Sequence, residues 1–132
     1  MAFEATQIIQ TSVPISMTCA DGVGIEKGTF LALSDPFTAA VHASASQQIA
    51  GICCMEKIAS DGITKVAVYR SGIFKVTASG SIVVGAPLAL SNVANKVMEC
   101  TSTFSGSKTI GLALETAADG ETFLMELRPG AY

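Results

Sequence analysis

Three blocks of this chain occur twice, in the same order and at nearly constant spacing, so its fold must accommodate two copies of one small unit. Lys27-Gly-Thr-Phe-Leu-Ala-Leu-Ser-Asp35 is matched 57 residues later by Val84-Gly-Ala-Pro-Leu-Ala-Leu-Ser-Asn92. Ile49-Ala-Gly-Ile52 resembles Thr109-Ile-Gly-Leu112 with an offset of 60 on the glycine. Asp61-Gly-Ile-Thr-Lys-Val-Ala-Val-Tyr-Arg-Ser-Gly72 matches Asp119-Gly-Glu-Thr-Phe-Leu-Met-Glu-Leu-Arg-Pro-Gly130 with an offset of 58. Strand-turn grammar recurs in any β protein, but shared Leu-Ala-Leu-Ser, Asp-Gly-x-Thr and Arg-x-Gly in one order read as a duplication. The pseudo-repeats span about 25–72 and 82–130. Each holds a strand, a variable loop, a Gly-containing strand, an Asp-Gly turn and an exit strand.

The runs between turn signals are short and β-branched or alternating, with little helical periodicity. Strands are predicted at Thr29–Ser34, Ile49–Glu56, Ile63–Arg70, Ile73–Thr77, Ser81–Val84, Pro87–Ser91, Lys96–Cys100, Thr109–Glu115 and Glu121–Arg128. Regular short strands of this kind indicate an all-β barrel or sandwich. One segment reads two ways. Asp35-Pro36-Phe37 offers an N-cap with Pro at the first helical position, then Ala-rich sequence to about Gln47. Its Ser44-Ala-Ser46 suits an ordered surface loop equally well. In the Asp-Gly pairs, Gly supplies positive φ and Asp tolerates the neighbouring position, so they read as turns rather than metal ligands.

A length of 132 residues suits a single β-domain over 21–132, preceded by an N-terminal arm over 1–20. The arm lies outside both repeats and carries one charge, Glu4. Its apolar residues include Phe3, Ile8, Ile9, Val13 and Ile15, and Pro14 interrupts it as it would an edge or extended segment. Such an arm can add its backbone to a neighbour's sheet, or pair within its own barrel.

Charge is scarce. Only 14% of residues are charged against 49% apolar, and the stretches 5–20, 36–55 and 76–95 contain no Asp, Glu, Lys or Arg. None reads as a membrane span, because Pro, Gly, Gln and many Ser and Thr interrupt them. The start has no basic region preceding an apolar one, so no secretory signal is evident. Eleven acidic residues outnumber eight basic ones, which form no stripe, so the chain is not expected to bind nucleic acid.

Chemistry is equally sparse. His42 is the only histidine, which excludes any site needing two or three histidines, and its flanks read as a polar surface loop. Gly22-Val-Gly24-Ile-Glu-Lys27 has Lys where a dinucleotide loop needs its third glycine, and no G-x-S-x-G occurs. Cys19, Cys53, Cys54 and Cys100 form no C-x-x-C pair and read as reduced, mostly buried thiols in a reducing compartment. Arg70 and Arg128 recur in the duplication at strand ends, as charges solvating a sheet edge or pairing across an interface. No catalytic residue, cofactor or metal ligand is assigned.

The order from Gly28-x-x-Leu-Ala-Leu-Ser through Tyr69-Arg-Ser-Gly-Ile-Phe-Lys-Val76 to Ile110-Gly-Leu-Ala-Leu-Glu-Thr-Ala-Ala-Asp-Gly120 resembles the capsid cement, or head decoration, proteins of tailed bacteriophages. It covers Gly28 to Leu127, while the four cysteines and the 36–48 insertion are not part of the pattern. The resemblance implies a small β-barrel or β-tulip domain, β-clip-like, working on the outer surface of the virion. It implies a homotrimer that binds the major capsid protein, bridges neighbouring capsid subunits and stabilises the expanded head. Phe3, Ile8, Ile9, Val13 and Ile15 are then the expected capsid contacts, with Arg70 and Arg128 at an interface. A surface display module binding host glycans is the second reading, although the chain has no Trp and only Tyr69 and Tyr132. A small-molecule substrate is not expected: an enzyme would need convergent carboxylates and a nucleotide clamp, and neither is found.

Overall fold

Eleven strands and no helix make up the computed structural model, which describes residues 3–42, 48–100 and 109–128. In chain order they are β1 Thr6–Ile9, β2 Ile15–Thr18, β3 Phe30–Asp35, β4 Thr38–Val41, β5 Ile49–Cys53 and β6 Lys65–Tyr69. Then follow β7 Gly72–Thr77, β8 Pro87–Leu90, β9 Val97–Glu99, β10 Gly111–Ala113 and β11 Thr122–Leu127. The all-β expectation holds. Strands β2-β4-β3-β5-β6 close into a barrel, and β1-β7-β11-β10-β8-β9 form a six-stranded sheet.

The two halves use one pairing scheme. In the barrel β3 lies between β4 and β5, and β5 pairs with β6; in the sheet β8 lies between β9 and β10, and β10 pairs with β11. A parallel contact of β2 with β4 at Thr18 and Thr38 closes the barrel. Its counterpart is a parallel bridge between Ala78 and Val97, which draws the end of β7 toward β9 and curls the sheet. The antiparallel bridge Ile25–Lys57 likewise has its counterpart in Ile82–Ala117.

Both repeated glycines of the Gly-containing strands mark close backbone approach. A methyl group on Gly51 would strike the Tyr69 carbonyl, and one on Gly111 would strike that of Glu126. Only hydrogen fits where β5 crosses β6 and where β10 crosses β11.

Two cores result. Met17, Cys19, Ile25, Leu31, Ala39, Ala50, Cys53, Val66 and Val68 fill the barrel. Phe74, Phe123, Ile82, Leu88, Leu90, Met125 and their neighbours fill the space inside the curled sheet, joined by Ala5 from just before β1 and by Phe30, Ile49 and Ile52 from the other half. A break in alternation explains the sharing: Ile49 and Ile52 of β5 face one core while Ala50 and Cys53 face the other, a three-residue spacing allowed by the register shift where Gly51 and Ile49 pair with Leu31 and Ala32 of β3. All five residues of β5 are therefore buried. Burying each Phe contributes roughly 1.5–3 kcal/mol, so Phe30 ties the halves together as strongly as any single side chain.

Three sequence expectations change. The segment after Asp35 is neither helix nor loop over its described part. Pro36 and Phe37 form the turn of the β3–β4 hairpin, with Phe37 at φ 51°, and β4 follows at once. The remainder of that segment, 43–47, lies outside the described residues. Ser81–Val84 forms no strand: Ile82 makes a single bridge with Ala117, and Val83 N–H donates to the Glu99 side chain of β9. His42 is not on the surface. It is buried, its Nε2 is 3.1 Å from the Ser91 carbonyl, and its ring meets Phe30 edge-on at 6.4 Å.

Candidate functional site

The N-terminal segment, expected either to reach a neighbour or to pair within its own barrel, takes the second course. β1 lies antiparallel to β7, with Thr6 opposite Lys75, Gln7 opposite Phe74 and Ile9 opposite Ile73. β2 forms one wall of the barrel against β6, with Ile15 opposite Val68. Between them Thr11 and Ser12 hydrogen-bond to the Ser71 hydroxyl at 3.0 and 2.6 Å, pinning the connection over the β6–β7 turn.

Pairing consumes both sides of β2 but only one side of β1. β1 is the outermost strand of its sheet, with β7 on one edge and its other edge open. A bulge at Ile8 interrupts the register, which breaks the row of backbone donors and acceptors that a longer edge would offer. Ile8 and Ile9 are 51% and 52% exposed, and Val13 is 75% exposed. Phe3 and Ile15 are also exposed. All five residues expected to contact a capsid are thus exposed, with Glu4 the one charge between Phe3 and Ile15.

Phe3 is held from behind. Its φ is 59°, its carbonyl accepts a hydrogen bond from Asn95 Nδ2 at 2.8 Å, and Lys96 Nζ stands 4.4 Å above its ring. Asn95, itself at φ 59° and buried, also donates to the Gly28 carbonyl at 2.9 Å and accepts from Phe30 N–H at 2.7 Å. It is a node joining the chain start to both halves, and its loop setting in Ser-Asn-Val-Ala-Asn offered no sequence cue.

The two repeated arginines have different surroundings. Arg70 donates to the Ala50 carbonyl at 2.8 Å and so braces β5 from the end of β6. Arg128 carries an exposed guanidinium 3.6 Å from the Glu126 carboxylate.

Lys57 was not singled out from sequence, yet it is the most enclosed charge described. Its ammonium donates to the carbonyls of Asp21, Val23 and Ile58 at 2.7, 3.1 and 3.3 Å, and lies 3.5 Å from Asp61 and 3.9 Å from Asp21 carboxylate oxygens. The one available signal was the repeat, which places Lys57 where the second copy has inward-facing Ala117. Asp61 accepts from the N–H groups of Ile63 and Ile58, and these bonds with nearby Lys57 hold its carboxyl below the usual range. The Asp-Gly turn thus secures a loop, with Gly62 at φ 84°.

The thiols divide by burial. Cys19 and Cys53 lie in the barrel core, and desolvation pushes both pKa values up. Cys54 and Cys100 are half-buried, and none of the four is in a disulfide. Among the described residues no three His, Cys, Asp or Glu side chains converge as metal ligands. A cavity bounded by Glu4, Gln7, Lys27, Tyr69 and Phe74 holds about 170 Å³, and a more open groove lined by Gly24, Ile25, Thr29, Val41, Lys57 and Ala59 holds about 400 Å³.

A family model described as phage cement protein matches residues 9–128 of the chain. No curated protein sequence matches it. Among solved structures, the N base of the head fiber gp8.5 of bacteriophage phi29 is similar, with a TM-score of 0.56 and 17% identity over 87% of this chain and 92% of that one.

Proposed function

The chain belongs to the phage cement protein family, and we propose that it binds the assembled major capsid lattice on its outer surface, bridges neighbouring capsid subunits and stabilises the expanded head. It does so as a homotrimer. Its capsid contacts are Phe3, Ile8, Ile9, Val13 and Ile15, with the exposed guanidinium of Arg128 at the margin and Arg70 bracing the strand behind. The observation that supports this reading is the charge-free segment 5–20, folded so that Ile8 and Ile9 of β1, Val13 of the connection and Ile15 of β2 are all exposed. An exposed apolar patch of this kind marks a protein interface.

Magnitudes favour many weak contacts over one strong one. A net backbone hydrogen bond is worth about 0.5–1.5 kcal/mol, and the bulged four-residue edge can make few of them. Three linked sites convert such contacts into avidity. Binding the expanded lattice in preference to its precursor stabilises it by mass action.

Heads stripped of the protein provide the test. Added chain is expected to rebind and to raise the temperature at which heads break open, and Ile8→Asp with Ile9→Asp is expected to lower occupancy without unfolding the chain. Equal binding to precursor and expanded heads would remove the state preference, and unchanged occupancy of the double variant would remove this surface.

A further inference from the structure

The duplication supplies an internal control for surfaces as well as for strands. Around Gly28 and Gly85 the two halves build the same turn, atom for atom in the backbone. Gly28 N–H donates to Cys53 O and Gly85 N–H to Ala113 O, at 2.9 and 2.8 Å. Thr29 N–H donates to Glu26 O as Ala86 N–H does to Val83 O, and the return bonds Cys53 N to Thr29 O and Ala113 N to Ala86 O also correspond. Lys27 N–H is held by the Glu56 side chain and Val84 N–H by that of Thr116. The φ angles are 83° and 86°.

What covers the two turns differs. The first is occupied by the chain's own start: Ala5 N–H donates to Gly28 O at 3.0 Å, and a methyl group on Gly28 would strike the Glu4 side chain. Among the described residues, nothing lies within 4 Å of the same construction at Gly85, and none donates to the Gly85 carbonyl. The flanking residues change in step. Charged Glu26-Lys27 in the first copy becomes Val83-Val84 in the second, 58% and 56% exposed. Leu114, next to the Ala113 that bonds Gly85, is exposed as well. Clustered apolar side chains beside an empty backbone saddle have no reason to face water alone.

The geometry points to the Gly85 turn as a docking saddle for an extended segment of the capsid partner, held as Glu4-Ala5-Thr6 is held at Gly28. This rests on the capsid-binding reading above and names a second surface for it. The occupant lays a side-chain stem over Gly85, as Glu4 does over Gly28, gives a main-chain N–H to its carbonyl, and sets apolar neighbours against Val83, Val84 and Leu114. A basic residue flanks that core, because one carboxylate belongs to this turn: Glu99 accepts from Val83 N–H at 3.0 Å.

Val84→Glu and, as a control of equal charge, Val93→Glu are compared with the unaltered chain for binding to stripped, expanded heads. Val84→Glu is expected to weaken binding tenfold or more with an unchanged melting temperature, while Val93→Glu stays within about twofold. A photo-crosslinker in place of Leu114 is expected to capture an extended segment of the major capsid protein. Tight binding by Val84→Glu, or crosslinks only to a second copy of this chain, would overturn the saddle while leaving capsid binding by the unaltered chain in place. Failure of the unaltered chain to bind heads would overturn both readings.

Discussion

The side-chain oxygen of Asn95 accepts a hydrogen bond from the backbone N–H of Phe30 at 2.7 Å, joining the turn before β9 to the start of β3 across 65 residues of sequence. The Asn95 amide nitrogen serves the Phe3 and Gly28 carbonyls at the same time. Asn95→Ala strands these buried groups and is expected to cost about 2–4 kcal/mol, from a penalty of roughly 1–3 per unsatisfied group. Asn95→Asp, which turns a donor into an acceptor facing two carbonyls, is expected to cost at least as much. Denaturant unfolding checks both, and a loss under 1 kcal/mol would deny Asn95 its role as a node.

Lys57→Met keeps the stem of the side chain and removes the ammonium from its cage of carbonyls and carboxylates. Removing one partner of a buried charged network costs about 3–5 kcal/mol, and the partial exposure of Asp21 and Asp61 brings the expectation to about 2–4. Thermal melts of the variant decide it.

Asp61 gives the acid limb of the stability curve. Its carboxyl sits below the ordinary value because Ile63 and Ile58 N–H groups and Lys57 favour the ionised form. The unfolded chain therefore binds the proton first, so this contribution is complete above the usual Asp value of about 3.9 and is lost as pH falls through the lower folded value. Melting temperature followed from pH 6 to pH 2 is expected to fall less steeply for Asp61→Asn; parallel curves would contradict the assignment.

The duplicated glycines separate into two kinds. Gly51→Ala and Gly111→Ala drive a methyl into a neighbouring carbonyl and are expected to cost more than 3 kcal/mol or to abolish folding. Gly120→Asn, at φ 83° with open space around it, is expected to stay within about 1 kcal/mol, since Asn tolerates that region. Expression and melting of the three variants check the contrast.

Thiol labelling of the native chain is expected to be fast at Cys54 and Cys100 and slow at Cys19 and Cys53, where burial restricts access and disfavours the thiolate. All four should react alike in denaturant. Peptide mapping after timed maleimide exposure reads the order.

Much of this architecture was legible because β-branched runs and turn glycines are local signals, and because duplication makes each strand's position testable against its copy. The misreadings share a physical cause. Asp-Pro-Phe is equally good grammar for a helix start and for a hairpin turn, and only the pairing of Leu31, Ala32 and Leu33 with β4 decides it. His42 sits among Ala and Ser, and its burial comes from Phe30 and Ser91, both distant in sequence. Asn95 and Lys57 look like surface residues because their partners are backbone carbonyls, which leave no trace in side-chain pattern. Residues 6–18 carry strand-forming composition but nothing that says which sheet they join. The outward apolar residues of that segment were visible from the absence of charge, whereas the Gly85 saddle becomes visible only when the two turns are superposed in space.

Beta-strand 5, buried on both faces, has a consequence for how such a molecule can be lost or altered. A duplicated gene ordinarily leaves two units that can be deleted, exchanged or lengthened one at a time. Here the first copy's strand is also lining for the second copy's interior, so cutting the chain between repeats would leave one half without a wall and the other without a filling. The pair behaves as one indivisible brick. Force applied to either half is therefore borne by both, and unfolding one exposes the interior of the other.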